Sequence, residues 1–338
     1  MTQRTVAKTV GILALLMMAT LLWTGCAAAL SRTNPALPPG FQDAQLPPGE
    51  VDAYLYLSQG TPIGIPTERF VKAEEIDESI KRTFVIPHVL EVSGLSLWTG
   101  SSLDSFAGAV KFPDDKTAEM VQQLMSTRRD VRRTVSWRES MTLNLVSGSG
   151  EWAGGMESSL RANQGSQFKA AVPVAWDLLH LMPEAPQGKP VAAGFVHVND
   201  ALMNFLASKA GLNVSGIGQA FGAANVSDIA FIAYADKPLT VPEQIGPSYF
   251  KEAGLGGIFV AQSTYPGFVL SFFLGSFADR VGLEKGPTIK GQEVLVKEID
   301  GTYLMIATLG NTFFVALAPT REKAEALLTS ALASHVKG

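Results

Sequence analysis

The stretch KGQEVLVKEIDGTYLMIATLGNTFFVALAPT, residues 290–320, decides the fold. Its three apolar runs, 290–299, 302–309 and 312–318, have lengths typical of β-strands. Asp300-Gly301 and Gly310-Asn311 separate these runs, and such pairs favour tight turns because both positions tolerate positive φ. The sequence therefore predicts three antiparallel strands joined by short hairpins.

A helix is predicted directly after these strands, beginning at Pro319-Thr320. Apolar side chains recur on one face of it, at Ala324, Leu327, Leu328, Ala331 and Leu332. Upstream, 257–263 reads as a strand and 266–282 as a helix with Pro266 at its start. The C-terminal third thus has the predicted order β-α-β-β-β-α.

A similar order occurs earlier in the chain. A strand at 106–112 precedes a helix that begins after Pro113-Asp114, followed by a strand pair at 131–137 and 141–146 and a short helix near 151–163. Further strands are predicted at 51–57, 192–198 and 226–235, and the segment 83–97 is strand-rich. We therefore predict an α+β fold in which two related halves, 50–188 and 189–338, are β-α-β-β-α type units of antiparallel sheet with helices packed on one face.

The N-terminus has the pattern of an export signal. Arg4 and Lys8 precede an apolar run at 10–23, and Thr24-Gly25 precede Cys26, the only cysteine of the chain. The run is shorter than the roughly 20 residues that a membrane-spanning helix needs. An ordinary cleaved signal or a short uncleaved anchor, with Cys26 incidental, is the alternative interpretation.

This N-terminus resembles the signal of bacterial lipoproteins, although Trp23 stands where that signal usually has an aliphatic residue. The resemblance implies removal of 1–25, acylation of Cys26, and a protein anchored to the cell membrane on the side outside the cytoplasm, in the periplasm or at the cell surface. Residues 26–49 are rich in proline and alanine and predict a spacer.

The body of the chain also resembles, in pattern alone, an uncharacterised family of bacterial surface lipoproteins built from α/β repeats. The resemblance rests on the start DAYLYL at 52–57 after a proline-rich segment, and on the C-terminal order of strand, polar turn and amphipathic helix. It implies no site residues.

Composition excludes several classes of function. The chain has 338 residues, 46% of them hydrophobic, which predicts a globular body with a large core. A net charge of −4 argues against a nucleic-acid partner, which requires a basic surface. No cysteine follows Cys26, so the body has no disulfide and no thiol chemistry.

No catalytic or metal-binding pattern emerges, and we predict neither enzyme activity nor a metal or other cofactor. The histidines lack ligand spacing; they are His88, His180, His197 and His335. The glycines of 216–222 lack the strand and the helix that a dinucleotide loop requires. Ser166 and Lys169 match the S-x-x-K nucleophile pattern without its supporting motifs, which leaves a serine hydrolase as a remote alternative.

Two features carry the binding hypotheses. The first is a basic cluster formed by Arg128, Arg129, Arg132 and Arg133. These side chains either lie in solvent at a helix end and on a strand face, or they contact an anionic surface. The run 268–277 is highly apolar, which predicts a helix buried in the core or one lining a hydrophobic pocket. In the second case the ligand contacts would be Phe268, Phe272, Phe273 and Phe277.

The sequence thus predicts a membrane-anchored lipoprotein with a non-catalytic binding or assembly role. The alternative is a carrier or sensor of a hydrophobic, lipid-like ligand held between the two halves. The expected partners are the membrane, through acylated Cys26, and a protein or a lipid ligand.

Overall fold

The computed structural model describes residues 37–39, 41, 45–46, 51–71, 76–100, 105–126, 134–148, 150–162, 166–167, 178–179, 182, 188–199, 224–241, 251–299 and 301–336. These residues form sixteen strands and five α-helices. The strands of the first half are β1 (Gln45–Leu46), β2 (Ala53–Leu57), β3 (Ile63–Pro66), β4 (Val89–Val92), β5 (Gly94–Thr99), β6 (Phe106–Lys111), β7 (Thr134–Glu139), β8 (Thr142–Ser147) and β9 (Ser166–Gln167).

The strands of the second half are β10 (Lys189–His197), β11 (Val226–Ala235), β12 (Leu255–Ser263), β13 (Glu284–Ile289), β14 (Gln292–Ile299), β15 (Thr302–Leu309) and β16 (Thr312–Ala318). The helices are α1 (Glu78–Thr83), α2 (Asp115–Ser126), α3 (Glu151–Arg161), α4 (Gly267–Val281) and α5 (Arg321–Val336). A single 3-10 turn occupies Thr67–Arg69.

One antiparallel sheet of twelve strands organises the described residues, in the order β13-β14-β15-β16-β12-β11-β10-β2-β5-β6-β8-β7. The pairs β1–β9 and β3–β4 form two small separate sheets. The predicted α+β class and its antiparallel sheet are confirmed. The hairpins predicted at 290–309 and 302–318 are present as β14–β15 and β15–β16, and Gly301 and Gly310 adopt the positive φ values of 79° and 59° that their turns require.

The two halves of the sheet share one topology. In the first half the order along the chain is β5, β6, α2, β7, β8, α3, and in the second it is β11, β12, α4, β15, β16, α5. The strands occupy matching places, β5-β6-β8-β7 and β11-β12-β16-β15. The hairpin β13–β14 is an addition to the second half, and it pairs with the outer edge of β15.

Helices cover both faces of the sheet, which differs from the expectation of helices on one face. Strands such as β11 are buried along both rows of side chains, so each face requires a cover. We call face A the side that carries Phe231 and Leu317, and face B the side that carries Tyr234 and Phe314. Helices α1, α2 and α4 pack on face A, and helices α3 and α5 pack on face B.

The halves meet where β2 pairs with β10. Gly194 of β10 lies opposite Leu55 of β2. A Cβ atom at position 194 would lie 1.9 Å from the backbone oxygen of Tyr54, so glycine permits this close approach. Because α2 and α4 share face A while α3 and α5 share face B, an approximate twofold axis perpendicular to the sheet relates the halves.

Part of the predicted spacer packs on the body. Leu37 and Phe41 are buried on face B, and the Phe41 ring lies 5.9 Å from that of Tyr54. The Tyr56 hydroxyl donates a hydrogen bond of 2.8 Å to the Pro39 carbonyl. The aromatic side chains of β2 therefore contact part of the predicted spacer.

Candidate functional site

Helix α4 exposes aromatic side chains. Phe268 and Phe272 lie one turn apart and are 78% and 81% exposed, and Tyr265 just before the helix is 40% exposed. We call these three residues the α4 apolar surface. No Asp, Glu, Lys or Arg occurs from Gly267 to Ala278, so no charge interrupts this stretch of the helix.

The opposite side of α4 explains how the helix is held. Leu270 and Ala278 are buried on face A, and the helix contacts β15. Gly267 lies against the backbone of Gly310, where a Cβ would come within 2.3 Å of the Gly310 carbonyl oxygen. Gly282 ends the helix in the left-handed conformation, at φ 67°. The orientation of the exposed side is thus fixed by packing at both ends.

This placement corrects the expectation that the apolar helix lies in the core. Phe268 and Phe272 neither fill the core nor line a space between the halves, because α4 lies over β15, away from the β2–β10 junction. The side chains of Phe273 and Phe277 do not belong to the part of the chain that the structure describes. A helix that is apolar all round is normally buried, so the exposure of Phe268 and Phe272 needs a separate explanation.

A carrier of a lipid-like ligand would require a large cavity. Ligand pockets commonly enclose about 300–1,000 Å³. Among the described residues, a depression beside α3 encloses about 20 Å³ and is lined by Val135, Val146, Gly148, Gly150, Ala153, Gly154 and Glu157. That volume is roughly the room that one water molecule needs. This depression is therefore too small to hold a lipid-like ligand.

A polar cluster that the sequence analysis did not identify lies at the junction of the halves. We call it the His197 cluster, and its members are Asp52, His197, Asn199, Ser227 and Asp228. His197 at the end of β10 forms an ion pair through Nδ1 with Oδ1 of Asp228 on β11. The Ser227 hydroxyl donates to Asp228 Oδ2 at 2.7 Å, and Asn199 donates to Asp52 Oδ2 at 2.8 Å.

The charges of the cluster support one another. The hydrogen bond with Asp228 raises the pKa of His197, partly opposed by burial and assisted by the charges of Asp228 and Asp52. Burial by itself would raise the pKa of Asp228, but the hydrogen bonds from His197 and Ser227 outweigh it and lower that pKa. The pair is therefore favoured as imidazolium and carboxylate.

The order of groups in the cluster does not match a catalytic triad. In a triad the serine hydroxyl gives its proton to the imidazole, and the carboxylate orients the imidazole from the other side. Here the Ser227 hydroxyl is bonded to the carboxylate of Asp228. No local sequence signal indicates the cluster, since His197 and Asp228 come together only through the pairing of β10 with β11.

The other predicted site residues lie mostly outside the described part of the chain. Cys26, Lys169 and the four arginines of the basic cluster are there, so their predictions stand as made. Ser166 lies in β9, opposite Leu46 of β1. Within the described residues, no group of three His, Cys, Asp or Glu side chains could hold a metal ion. Among the helices of the same residues, none is long and apolar enough to cross a bilayer.

Comparison with known proteins yields structural similarity only. No protein-family model matches the chain, and no curated protein matches it. Crystal form III of TP0453 is 8% identical, with 89% of this chain and 99% of that chain covered and a TM-score of 0.35. Crystal form I gives 8% identity, coverage of 90% and 99%, and a TM-score of 0.37. Crystal form IV gives 10% identity, coverage of 83% and 94%, and a TM-score of 0.34.

Proposed function

We propose that this protein is a lipid-anchored extracytoplasmic protein without catalytic activity, which binds the bilayer surface through the α4 apolar surface. The observation that carries the proposal is the exposure of Phe268 and Phe272 on an uncharged stretch of helix. Aromatic side chains on a short helix suit the interface between lipid headgroups and acyl chains. At 15 residues α4 is about 22 Å long, so it would lie in the interface without crossing it.

Energetics favour a second contact beside the anchor. Complete burial of one Phe side chain contributes about 1.5–3 kcal/mol. The lipoprotein resemblance implies more than one acyl chain on Cys26, and more than one chain gives stable attachment. Two buried phenylalanines would add about 3–6 kcal/mol to that attachment.

The experiment measures the environment of α4 on vesicles. A Phe272→Cys variant of the full chain, labelled at that position with the fluorophore NBD, is reconstituted into vesicles of phosphatidylcholine and phosphatidylglycerol. We expect a blue shift of the emission, and quenching by doxyl groups on the lipid chains. The matched control is Glu322→Cys at the start of α5, an exposed position on a helix that covers face B, and it should report water.

Either of two results would contradict the proposal. One is an NBD spectrum at position 272 that remains aqueous on vesicles. The other is equal quenching at positions 272 and 322, which would show that the label and not helix α4 enters the lipid. If the protein is recovered from cells with Cys26 unacylated, the lipid anchor is contradicted. The contact between α4 and the bilayer would then be judged by the fluorescence measurement alone.

A further inference from the structure

The two ends of the twelve-stranded sheet differ in how they are protected. Strand β13 at one end contains Gly286 and Pro287, and its pairing with β14 is irregular between Lys285 and Thr288. Proline, lysine and irregular pairing are devices that keep edge strands from joining other strands. Within the described residues, β7 at the other end has none of these devices.

Strand β7 is instead regular along its whole length. All six residues pair in register with β8, from Thr134 opposite Ser147 to Glu139 opposite Thr142. Its sequence, TVSWRE, contains no proline or glycine and includes β-branched and aromatic residues. No described strand pairs with its outer edge.

The second half shows which kind of strand pairs with an edge in this position. Strand β15 occupies the place that corresponds to β7, and β14 pairs antiparallel with its outer edge from Leu295 to Ile299. The first half has no counterpart of the β13–β14 hairpin in the described residues. The same strand position is thus covered in one half, and in the other no strand of the described residues covers it.

We infer that β7 pairs antiparallel with β7 of a second copy of this chain, about a twofold axis at Ser136. This register places Val135 opposite the partner's Trp137 on face B, and Thr134 opposite the partner's Arg138 on face A. No like charges then face each other, whereas a register centred on Arg138 would oppose two guanidinium groups. An isologous contact of this kind closes after two copies.

Neighbouring side chains support this arrangement. Trp137 is 8% exposed and is held by Arg161, whose guanidinium carbon lies 4.3 Å from the centre of the indole ring. Arg138 is held by Asp115 at 3.0 Å. Both side chains are therefore ordered before pairing, which lowers the entropy cost of association. The axis is perpendicular to the sheet, so both copies present α4 on the same side.

Disulfide trapping tests the inference on the full chain in detergent. Across an antiparallel pair, facing Cα atoms lie about 4.5–5.5 Å apart, within the range that a disulfide bridges. We expect the Ser136→Cys variant to form a disulfide-linked dimer under mild oxidation. Thr134→Cys is the matched control, because in this register the two copies of residue 134 are about 13 Å apart. The unsubstituted chain reports any linkage through Cys26.

Sedimentation gives a second measure that introduces no cysteine. The unsubstituted chain should sediment as a dimer, and Ser136→Glu, which opposes two carboxylates at the axis, should shift it to monomer while leaving the thermal unfolding midpoint nearly unchanged. A monomeric unsubstituted chain would overturn the inference. Efficient linkage of Thr134→Cys without linkage of Ser136→Cys would overturn the register and the axis.

Discussion

Helices α2 and α4 occupy the same place in the two halves but present opposite chemistry to the outside. Both pack on face A, through Ala118 and Val121 in α2 and through Leu270 and Ala278 in α4. Outward, α2 shows charged side chains such as Glu119, while α4 shows Phe268 and Phe272. The comparison shows that packing on the sheet constrains only the side chains on the inner side of such a helix. Packing on the sheet therefore does not account for the phenylalanines on the outer side of α4.

The largest effect is expected at the junction that relates the two halves. Gly194→Val would drive a side chain into the backbone of Tyr54, where even a Cβ would lie 1.9 Å from the carbonyl oxygen. We expect the free energy of unfolding to fall by about 3 kcal/mol or more. Chemical denaturation measures this change. Gly155→Ala in α3 is the control, because a Cβ there meets open space and removal of a helical glycine stabilises by about 0.5–1 kcal/mol.

Exchange of the outer face of α4 for one like that of α2 tests the comparison directly. Phe268→Glu with Phe272→Lys places an oppositely charged pair one turn apart, which suits an exposed helix. Loss of about 3 kcal/mol of lipid contact should raise the rate of transfer of the acylated chain between vesicles by about 10²-fold. Stability should change by no more than about 0.5 kcal/mol. Val85→Ser, at a side chain that is 96% exposed, is the control. An unchanged transfer rate would mean that the α4 apolar surface does not contact lipid.

The ion pair between His197 on β10 and Asp228 on β11 predicts a dependence of stability on pH. The raised pKa of His197 makes its contribution fully present below the unfolded value of 6.5 and lost as pH rises through the folded value. The lowered pKa of Asp228 makes its contribution present above 3.8 and lost as pH falls through its folded value.

We therefore expect the stabilisation from the pair to be greatest between about pH 4 and 6.5. His197→Gln should lower the free energy of unfolding there by about 1 kcal/mol, since the imidazole is partly exposed, and by less at alkaline pH. Unfolding curves across pH for both chains measure the difference. A difference that does not vary with pH would contradict an ionic role for His197.

The smallest effect concerns how the two corresponding helices begin. Asp114 accepts hydrogen bonds of 2.8 Å from both the backbone N–H and the hydroxyl of Thr117 at the start of α2, and these bonds lower the pKa of its carboxyl. Helix α4 begins after Pro266 without a side-chain cap. Asp114→Ala should cost about 1 kcal/mol, measured by thermal unfolding. Lys116→Ala, an exposed change in the same turn, should be nearly neutral. Equal effects of the two changes would show that Asp114 does not cap the helix.

Local sequence patterns predicted much of the sheet correctly. They failed where contacts with distant parts of the chain determine the structure. The strands β14, β15 and β16 were predicted within two residues, because short turns bring them together without help from the rest of the chain. Strand β13 was missed, since Gly286 and Pro287 oppose a strand and only pairing with β14 overrides them. Strand β7 is described from Thr134, and residues 131–133 of the predicted strand lie outside the described residues.

The candidate sites divide in the same way. The apolar run 268–277 was identified from the sequence, but its orientation was not, because a helix without polar residues on one side gives no signal of which side faces water. The His197 cluster was not predicted at all, since no local pattern links His197 with Asp228, which lies on the neighbouring strand.

The sequence by itself determined the α+β class, the antiparallel pairing of its C-terminal hairpins and the presence of a helix after the second strand of each unit, because turns, caps and periodicity act between near neighbours. Only the tertiary structure decided that the halves join through β2 and β10, that helices cover both faces, that Phe268 and Phe272 point outward and that no strand of the described residues pairs with the outer edge of β7. These features depend on contacts between residues far apart in the chain, and burial, which selects among them, is a property of the assembled sheet.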